Sequence, residues 1–239
     1  MEESETMSLT LKDGKKLIAD FLSENFTWGQ NAPSRLDLLK YSVTQAFNDG
    51  LFLEFGVLGG YSLKYLAECR PDRRFYGFDT FEGIPENWGE FYPKGHGKQD
   101  HIPQIPGDII LIKGLFQDTL EPFLEEHSEP VSFLHMDADL YSSTNYVLST
   151  LANAGRIVKG TIIEFDEVFF QDSHNTVLND EYRAYLEFME RYEVKVRWLQ
   201  FYHRKTSYIW KKMFRWTKRV ATIRASLVIE SFQKRRVKV

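Results

Sequence analysis

The sequence predicts an α/β fold: a Rossmann-like, mostly parallel sheet with helices on both faces, an N-terminal helical cap and a C-terminal basic helical extension. Three observations predict it. From Gly50 onwards, short apolar runs alternate with segments of helical periodicity. Most of those runs end in glycines or acids, which is where open α/β sheets place their ligands. The chain has 239 residues, a length that suits one α/β domain with additions better than two full domains.

Residues 9 to 47 carry a helical pattern. Leu17, Ile18, Phe21 and Leu22 sit at helical spacing, and the pattern resumes over Leu36 to Phe47 after the break at Ala32-Pro33-Ser34. Leu51 to Phe55 is the first strand candidate, and a helical stretch follows over Ser62 to Cys69. Arg74 to Asp79, Ile109 to Ile112, Val131 to Met136 and Gly160 to Phe165 are the next four strands, with a helix expected over Thr144 to Ala154. The first strand runs into a glycine loop, the second ends in Asp79, the fourth in Asp137 and the fifth in Asp166-Glu167. Residues 82 to 107 are rich in Gly, Pro and aromatic side chains with little periodicity. They form a long loop, expected to order over the strand ends as a lid carrying Trp88, Phe91 and Tyr92. The organisation expected is thus a helical cap over residues 1–48, a ligand-binding domain over 49–210 and a basic amphipathic tail over 211–239.

Charge supports that division. Residues 211–239 hold ten Lys and Arg against one Glu, while the preceding 210 hold 20 basic and 33 acidic side chains. An acidic body argues against nucleic acid as the main ligand. In the tail, Trp216, Val220, Ile223 and Leu227 fall on one helical face among Lys212, Arg215, Lys218 and Arg219. Such a helix packs on the body or on a second subunit, making a homo-oligomer; contact with an anionic membrane surface is the less favoured use. Cys69 is the only cysteine, so no internal disulfide forms and a reduced, cytoplasmic setting is expected. Met1 to Ser8 is acidic and polar, unlike a signal peptide, and no apolar run approaches the roughly 20 residues that span a bilayer.

Three motifs carry chemistry. In Glu54-Phe-Gly-Val-Leu-Gly-Gly-Tyr-Ser62 the glycines allow a tight turn and close approach of the backbone to a ligand, and the helix that follows offers free N–H groups. The spacing is not the G-x-G-x-x-G of a dinucleotide fingerprint, and Glu54 would repel a phosphate while attracting an ammonium, so an amino-acid head group fits better. Taken alone, an ordinary strand–glycine–helix turn explains this motif equally well. Asp79 ends the second strand a little over 20 residues past the turn, where a carboxylate can grip a ribose diol, or where it can cap a helix. Asp137 and Asp139 stand two residues apart after the fourth strand and face Asp166 and Glu167 after the fifth. So many carboxylates together are electrostatically costly without a cation, and oxygen ligands of this kind suit Mg²⁺.

Four blocks in order, Glu-Phe-Gly-Val-x-x-Gly-x-Ser, Phe-Asp-Thr-Phe-Glu-Gly-Ile-Pro-Glu, Gly-Leu-Phe-Gln-Asp-Thr-Leu and Met-Asp-Ala-Asp-Leu-Tyr-Ser-Ser-Thr, resemble the macrocin O-methyltransferase family over about residues 50 to 170. These are class I S-adenosylmethionine-dependent enzymes that methylate sugar hydroxyls in natural-product biosynthesis. The resemblance implies that Glu54, Gly56, Gly60 and Ser62 hold the methionine part of the cofactor and Asp79 the ribose. Gly114, Phe116 and Asp118 would lie near the adenine, and Asp137 also borders the cofactor. It further implies that Asp137, Asp166 and Glu167 bind Mg²⁺ and that Asp139 is the general base for a small-molecule hydroxyl acceptor. The chain departs from the family in having Asp166-Glu167 where Asp-Asp is usual, and Lys159-Gly160 in place of Gly-Gly, with the spacing to Asp166 one residue longer. These departures loosen the match at the metal more than at the cofactor.

Other residues have blander readings beside the functional ones. His135 lies on a buried strand and reads as a satisfied core or supporting histidine. His96 and His101 sit in the lid within reach of a substrate. Tyr141 and Ser142 to Thr144 either touch substrate or cap the following helix. The rival functions are a dinucleotide-dependent oxidoreductase, a metal-independent small-molecule methyltransferase and a non-catalytic scaffold on the same fold.

Overall fold

The computed structural model describes residues 11–27, 29–47, 49–88, 92–171, 180–205 and 221–233. The apolar run of Leu51–Phe55 is buried at every position and forms β1, the centre of the sheet. Residues facing alternately up and down must both meet a core here, which is why the run does not alternate with polar residues. Strands β2 (Phe75–Asp79), β3 (Ile109–Lys113), β4 (Val131–Met136) and β5 (Ile162–Gln171) lie parallel to it. Two long strands, β6 (Lys195–Lys205) and β7 (Ala221–Ser231), complete a seven-stranded sheet in the order β3-β2-β1-β4-β5-β7-β6, with β7 antiparallel to both its neighbours.

Helices cover both faces. On one, α2 (Arg35–Gln45) and α3 (Tyr61–Cys69) bring Leu39, Val43, Leu63 and Leu66 onto Phe52, Phe75, Phe133 and Ile162. On the other, α1 (Leu11–Asn25), α4 (Phe116–Glu126), α5 (Tyr141–Asn153) and α6 (Glu181–Tyr192) meet Phe55, Phe78, Met136 and Phe165. The break expected at Ala32-Pro33-Ser34 separates α1 from α2, and Ser34 caps α2 by accepting the Asp37 N–H. The α5 helix starts at Tyr141, three residues earlier than the periodicity indicates. Ser143 and Thr144 therefore lie inside it and cap nothing, and its N-cap, Leu140, makes no side-chain capping bond.

The helical reading of the C-terminal region fails. Residues 221–231 are strand β7, inserted between β5 and β6. Ile223, Ala225, Leu227 and Ile229 face one core, and Thr222, Arg224 and Ser226 are buried on the opposite face. The period is two, and the coincidence that Ile223 and Leu227 are also four apart produced the apparent helical face. Burial on both sides leaves neither residue for a lipid surface. Trp216, Val220 and the basic residues 211, 212, 215, 218 and 219 lie outside the described residues. Among the described residues no helix is long and apolar enough to cross a membrane. The fifth strand also runs further than its apolar core, to Gln171, because β7 pairs with it beyond the point where β4 stops at Met136↔Phe165. Asp166 and Glu167 thus stand within β5, at a register shift between Phe165 and Phe169, and not after it.

Leu227 is fully buried and pairs with Ile163 on β5 and Trp198 on β6. Leu227→Ala is expected to cost about 2–5 kcal/mol in urea unfolding, whereas a residue on a loosely packed surface helix would lose roughly 0.5 kcal/mol or less.

Candidate active site

The carboxyl ends of β1, β2, β3 and β4 open on one pocket, lined among others by Gly56, Leu58, Asp79, Thr80, Leu115, Phe116, Asp137, Asp139 and Ser143. The lid reaches over it through Gly83, Ile84, Pro85, Trp88, His96 and Gly97. That loop is tied down: Ile84 N–H donates to the His96 carbonyl, Gly95 N–H to the Ile84 carbonyl, and Trp88 stacks on Tyr92 at 4.9 Å between ring centroids. Trp88 Nε1 also donates to Asp180 Oδ2 at 3.1 Å, which links the lid to the start of α6. His101 is exposed and does not line the pocket.

The glycine turn is shaped by the protein before any ligand is considered. Gly56 has φ +97°, and a Cβ there would lie 1.8 Å from the Asp137 carbonyl oxygen. Only glycine lets the β1 and β4 loops pack this closely. Gly60, at φ +78°, is the N-cap of α3, and a Cβ on it would meet Ile105 from the lid. Asp79 closes the turn from below. Its Oδ2 accepts the N–H groups of Val57 and Leu58 at 2.8 and 2.7 Å, and Oδ1 accepts that of Phe81 at 2.7 Å. A carboxylate has about four lone-pair sites, so Asp79 keeps acceptor capacity toward the pocket it borders.

Glu54 and Ser62 are not among the residues that line the pocket; they lie buried beneath it. Ser62 Oγ donates to Glu54 Oε1 at 3.1 Å, and His135 Nδ1 lies 2.9 Å from Glu54 Oε2. Glu54, His135 and Glu164 are direct register partners on β1, β4 and β5, and His135 Nε2 lies 2.8 Å from Glu164 Oε2. Burial alone would lower the His135 pKa. The flanking Glu164, Asp166 and Glu54 outweigh it and raise the pKa well above the usual imidazole value. Gly114 precedes α4 and donates its N–H to the Asp79 carbonyl; Phe116 lines the pocket, while Asp118 is exposed on α4 and does not.

The acids at the β4 and β5 ends converge as their positions suggest, with carboxylate oxygens of Asp137, Asp166 and Glu167 within 4.8 Å of one another. They do not stand alone. Arg35, the first residue of α2, donates from Nε to Asp166 Oδ1 at 2.6 Å and from its terminal NH2 to Asp137 Oδ2 at 3.0 Å. Arg224 of β7 donates from Nε to Asp166 Oδ1 at 2.8 Å, and its terminal NH2 lies 2.8 Å from Asp166 Oδ2 and 3.6 Å from Glu167 Oε1. Burial would raise the Asp166 pKa, but His135 and the two guanidiniums hold it far below the usual carboxylate range. Its neighbours move the other way: burial, reinforced by Asp166, pushes Asp137 and Glu167 well up and takes Asp139 to about 7. Asp139 also has φ +60°, a left-handed conformation that Asp tolerates better than most residues.

Sequence reasoning missed three residues here. Two are Arg35 and Arg224, placed in the cap and the tail, with no local spacing to connect them to Asp166. Glu181 is the third. It is fully buried at the start of α6, and its two carboxylate oxygens accept the N–H groups of Ala138 at 3.3 Å and Glu167 at 3.2 Å. It joins the two acid-bearing segments. An acid in the first turn of a helix was a visible signal, but one that any solvated helix start also gives.

Residues 53–168 match the family model of a methyltransferase domain. No curated protein matches the chain. Among solved structures the chain is similar to the O-methyltransferase TomG from Streptomyces achromogenes, involved in tomaymycin synthesis and in complex with SAM. The identity is 17% over 94% of this chain and 93% of that one, with a TM-score of 0.46. It is also similar to an O-methyltransferase from Bacillus cereus in complex with SAH, at 16% identity over 94% of each chain and a TM-score of 0.44. The match to a methyltransferase domain spans the stretch of chain that holds every residue of the pocket.

Asp180 gives a pH test of how the lid is anchored. Burial takes its carboxyl up to about 6, against the opposing bond from Trp88. A carboxyl raised above its unfolded pKa of about 3.9 stabilises the fold below that pH, and the contribution is lost as pH rises through about 6. Asp180→Asn keeps an acceptor for Trp88 and cannot ionise. Urea unfolding is expected to show the variant gaining about 1–3 kcal/mol on wild type between pH 4 and pH 7.5.

Proposed function

We propose that the protein transfers the methyl group of S-adenosylmethionine to a hydroxyl oxygen of a small-molecule acceptor, with Asp139 as general base. One observation carries this reading: Asp139 reaches the same pocket as Gly56, Asp79 and Phe116, and its carboxyl is poised near neutrality by burial. A base with a pKa near the working pH is the efficient one for a proton that leaves during the bond-making step. S-adenosylmethionine, held by the glycine turn and Asp79, would supply a methyl group whose bond to sulfur breaks with the electron pair left on a neutral thioether, and Asp139 would take the proton of the attacking hydroxyl. Most of the rate comes from orientation, supplied by a pocket walled by the strand ends and roofed by the lid.

The acceptor class is read as a sugar or a glycosylated natural product. The four sequence blocks similar to the macrocin O-methyltransferases support it, as does Trp88 in the pocket wall, against which an apolar sugar face can lie. The single cysteine supports a reduced, cytoplasmic setting. The residues implied as Mg²⁺ ligands are engaged by Arg35 and Arg224, so no step is routed through a cation.

S-adenosylhomocysteine is expected to bind one site per chain by calorimetry, with a Kd between about 1 μM and 1 mM, and to raise Tm where NAD(H) does not. Thermal stabilisation by NAD(H) alone would favour the oxidoreductase. With a hydroxylated acceptor found by radiolabelled methyl transfer, Asp139→Asn should lower kcat by about 10²–10⁴-fold while S-adenosylhomocysteine affinity changes little. Unchanged turnover in that variant would remove Asp139 from the chemistry.

A further inference from the structure

We infer that the two guanidiniums of Arg35 and Arg224 replace a divalent cation at the Asp137–Asp166–Glu167 cluster, so that the domain binds its cofactor and works without metal. The inference deepens the methyltransferase reading of the pocket and rests on it for the reaction, though not for the metal question itself.

Both oxygens of Asp166 and one of Asp137 already have partners, while Glu167 Oε2 is buried without a hydrogen bond. Asp166 is gripped through both oxygens by Arg224, at 2.8 Å from Nε to Oδ1 and 2.8 Å from the terminal NH2 to Oδ2. Arg35 adds a third contact at 2.6 Å and ties Asp137 to the same group at 3.0 Å. Glu167 faces Arg224 at 3.6 Å. Bidentate arginine–carboxylate pairing is the strongest of the ordinary charge-assisted arrangements, and arginine cannot lower its cost by losing a proton. Magnesium demands near-octahedral oxygens at about 2.0–2.1 Å and sheds water reluctantly. To reach Asp166 it would have to displace one guanidinium and sit beside the other.

The charge count gives the same result. Two arginines bring +2 to the cluster, which is what one divalent cation would bring. Adding the cation as well would place two like-charged groups and a doubly charged ion around three acids. Arg35, with its side chain 27% exposed, has room to turn out toward solvent, but Arg224 does not: its side chain is 10% exposed and sits on a strand with neighbours on both sides. Displacing it would leave a buried cation with no carboxylate, which is the costly way to break such a pair. Arg35 is then a positioning residue, holding Asp137 against the pocket wall from α2.

The test uses the full chain stripped with EDTA and manganese as the probe, because free hexaaqua Mn²⁺ gives an electron paramagnetic resonance signal that is lost on binding. Wild type is expected to leave that signal undiminished up to about 1 mM Mn²⁺, the range in which even weak sites fill. Its Tm should be equal in EDTA and in excess Mg²⁺. One Mn²⁺ bound per chain and released by Asp166→Asn would overturn the inference. So would a Mg²⁺-dependent rise in wild-type Tm, which needs no variant to fold. S-adenosylhomocysteine is titrated into the same stripped sample as a separate arm. Binding within twofold of that in Mg²⁺ supports metal-free cofactor binding, and a Mg²⁺ requirement overturns it. Failure to bind under either condition sinks the methyltransferase reading and leaves the manganese result standing.

Discussion

Three distant parts of the chain meet on one carboxylate. Asp166 of β5 accepts from Arg35 at the start of α2 and from Arg224 on β7, with His135 of β4 3.9 Å away. The rest of the site depends on that group staying ionised. With Glu164 and Glu54 it raises the His135 pKa, and it adds to burial, the larger cause, in pushing the pKa values of Asp137, Asp139 and Glu167 up. A buried ion cluster of this kind contributes little net stability, since the Coulomb gain is set against the loss of water. What it fixes is geometry: the positions of α2, β4, β5 and β7 relative to one another at the floor of the pocket.

A second row of polar groups works in the same way one layer below. Glu54, His135 and Glu164 cross the middle of the sheet side by side, all fully buried, on a face otherwise filled by Phe52, Phe133 and Ile162. The row ends in Ser62 of α3 on one side. Glu181 plays the corresponding part from the other face, joining the backbone of Ala138 to that of Glu167. The pocket is therefore walled by residues that face a ligand and held in shape by acids that do not.

The parts of this arrangement visible in the sequence were those carried by local pattern. The apolar runs of β1, β2 and β4 and the acids at their ends could be read because strand, turn and terminal residue are contiguous. The glycine turn was legible too, although the close approach at Gly56 is to the Asp137 carbonyl of the neighbouring loop. The extent of β5 was not legible, because only pairing with β7 carries it past Phe165. Nor was β7, where Ile223 and Leu227 satisfy two periods at once and the surrounding Lys and Arg favoured the helical one. Arg35 and Arg224 are separated by nearly the whole domain, and only the sheet order brings them to the same acid.

The order in which the strands appear has a consequence for synthesis. Strand β6 is made before β7, yet β7 lies between it and the rest of the sheet. A chain emerging from the ribosome can assemble β1 to β5 with their helices, but β6 has no edge to join until the later strand has slotted in. The same late strand delivers Arg224. During translation Asp166 waits with one of its two arginine partners missing, and the pocket floor is finished by the last of the described strands to be made.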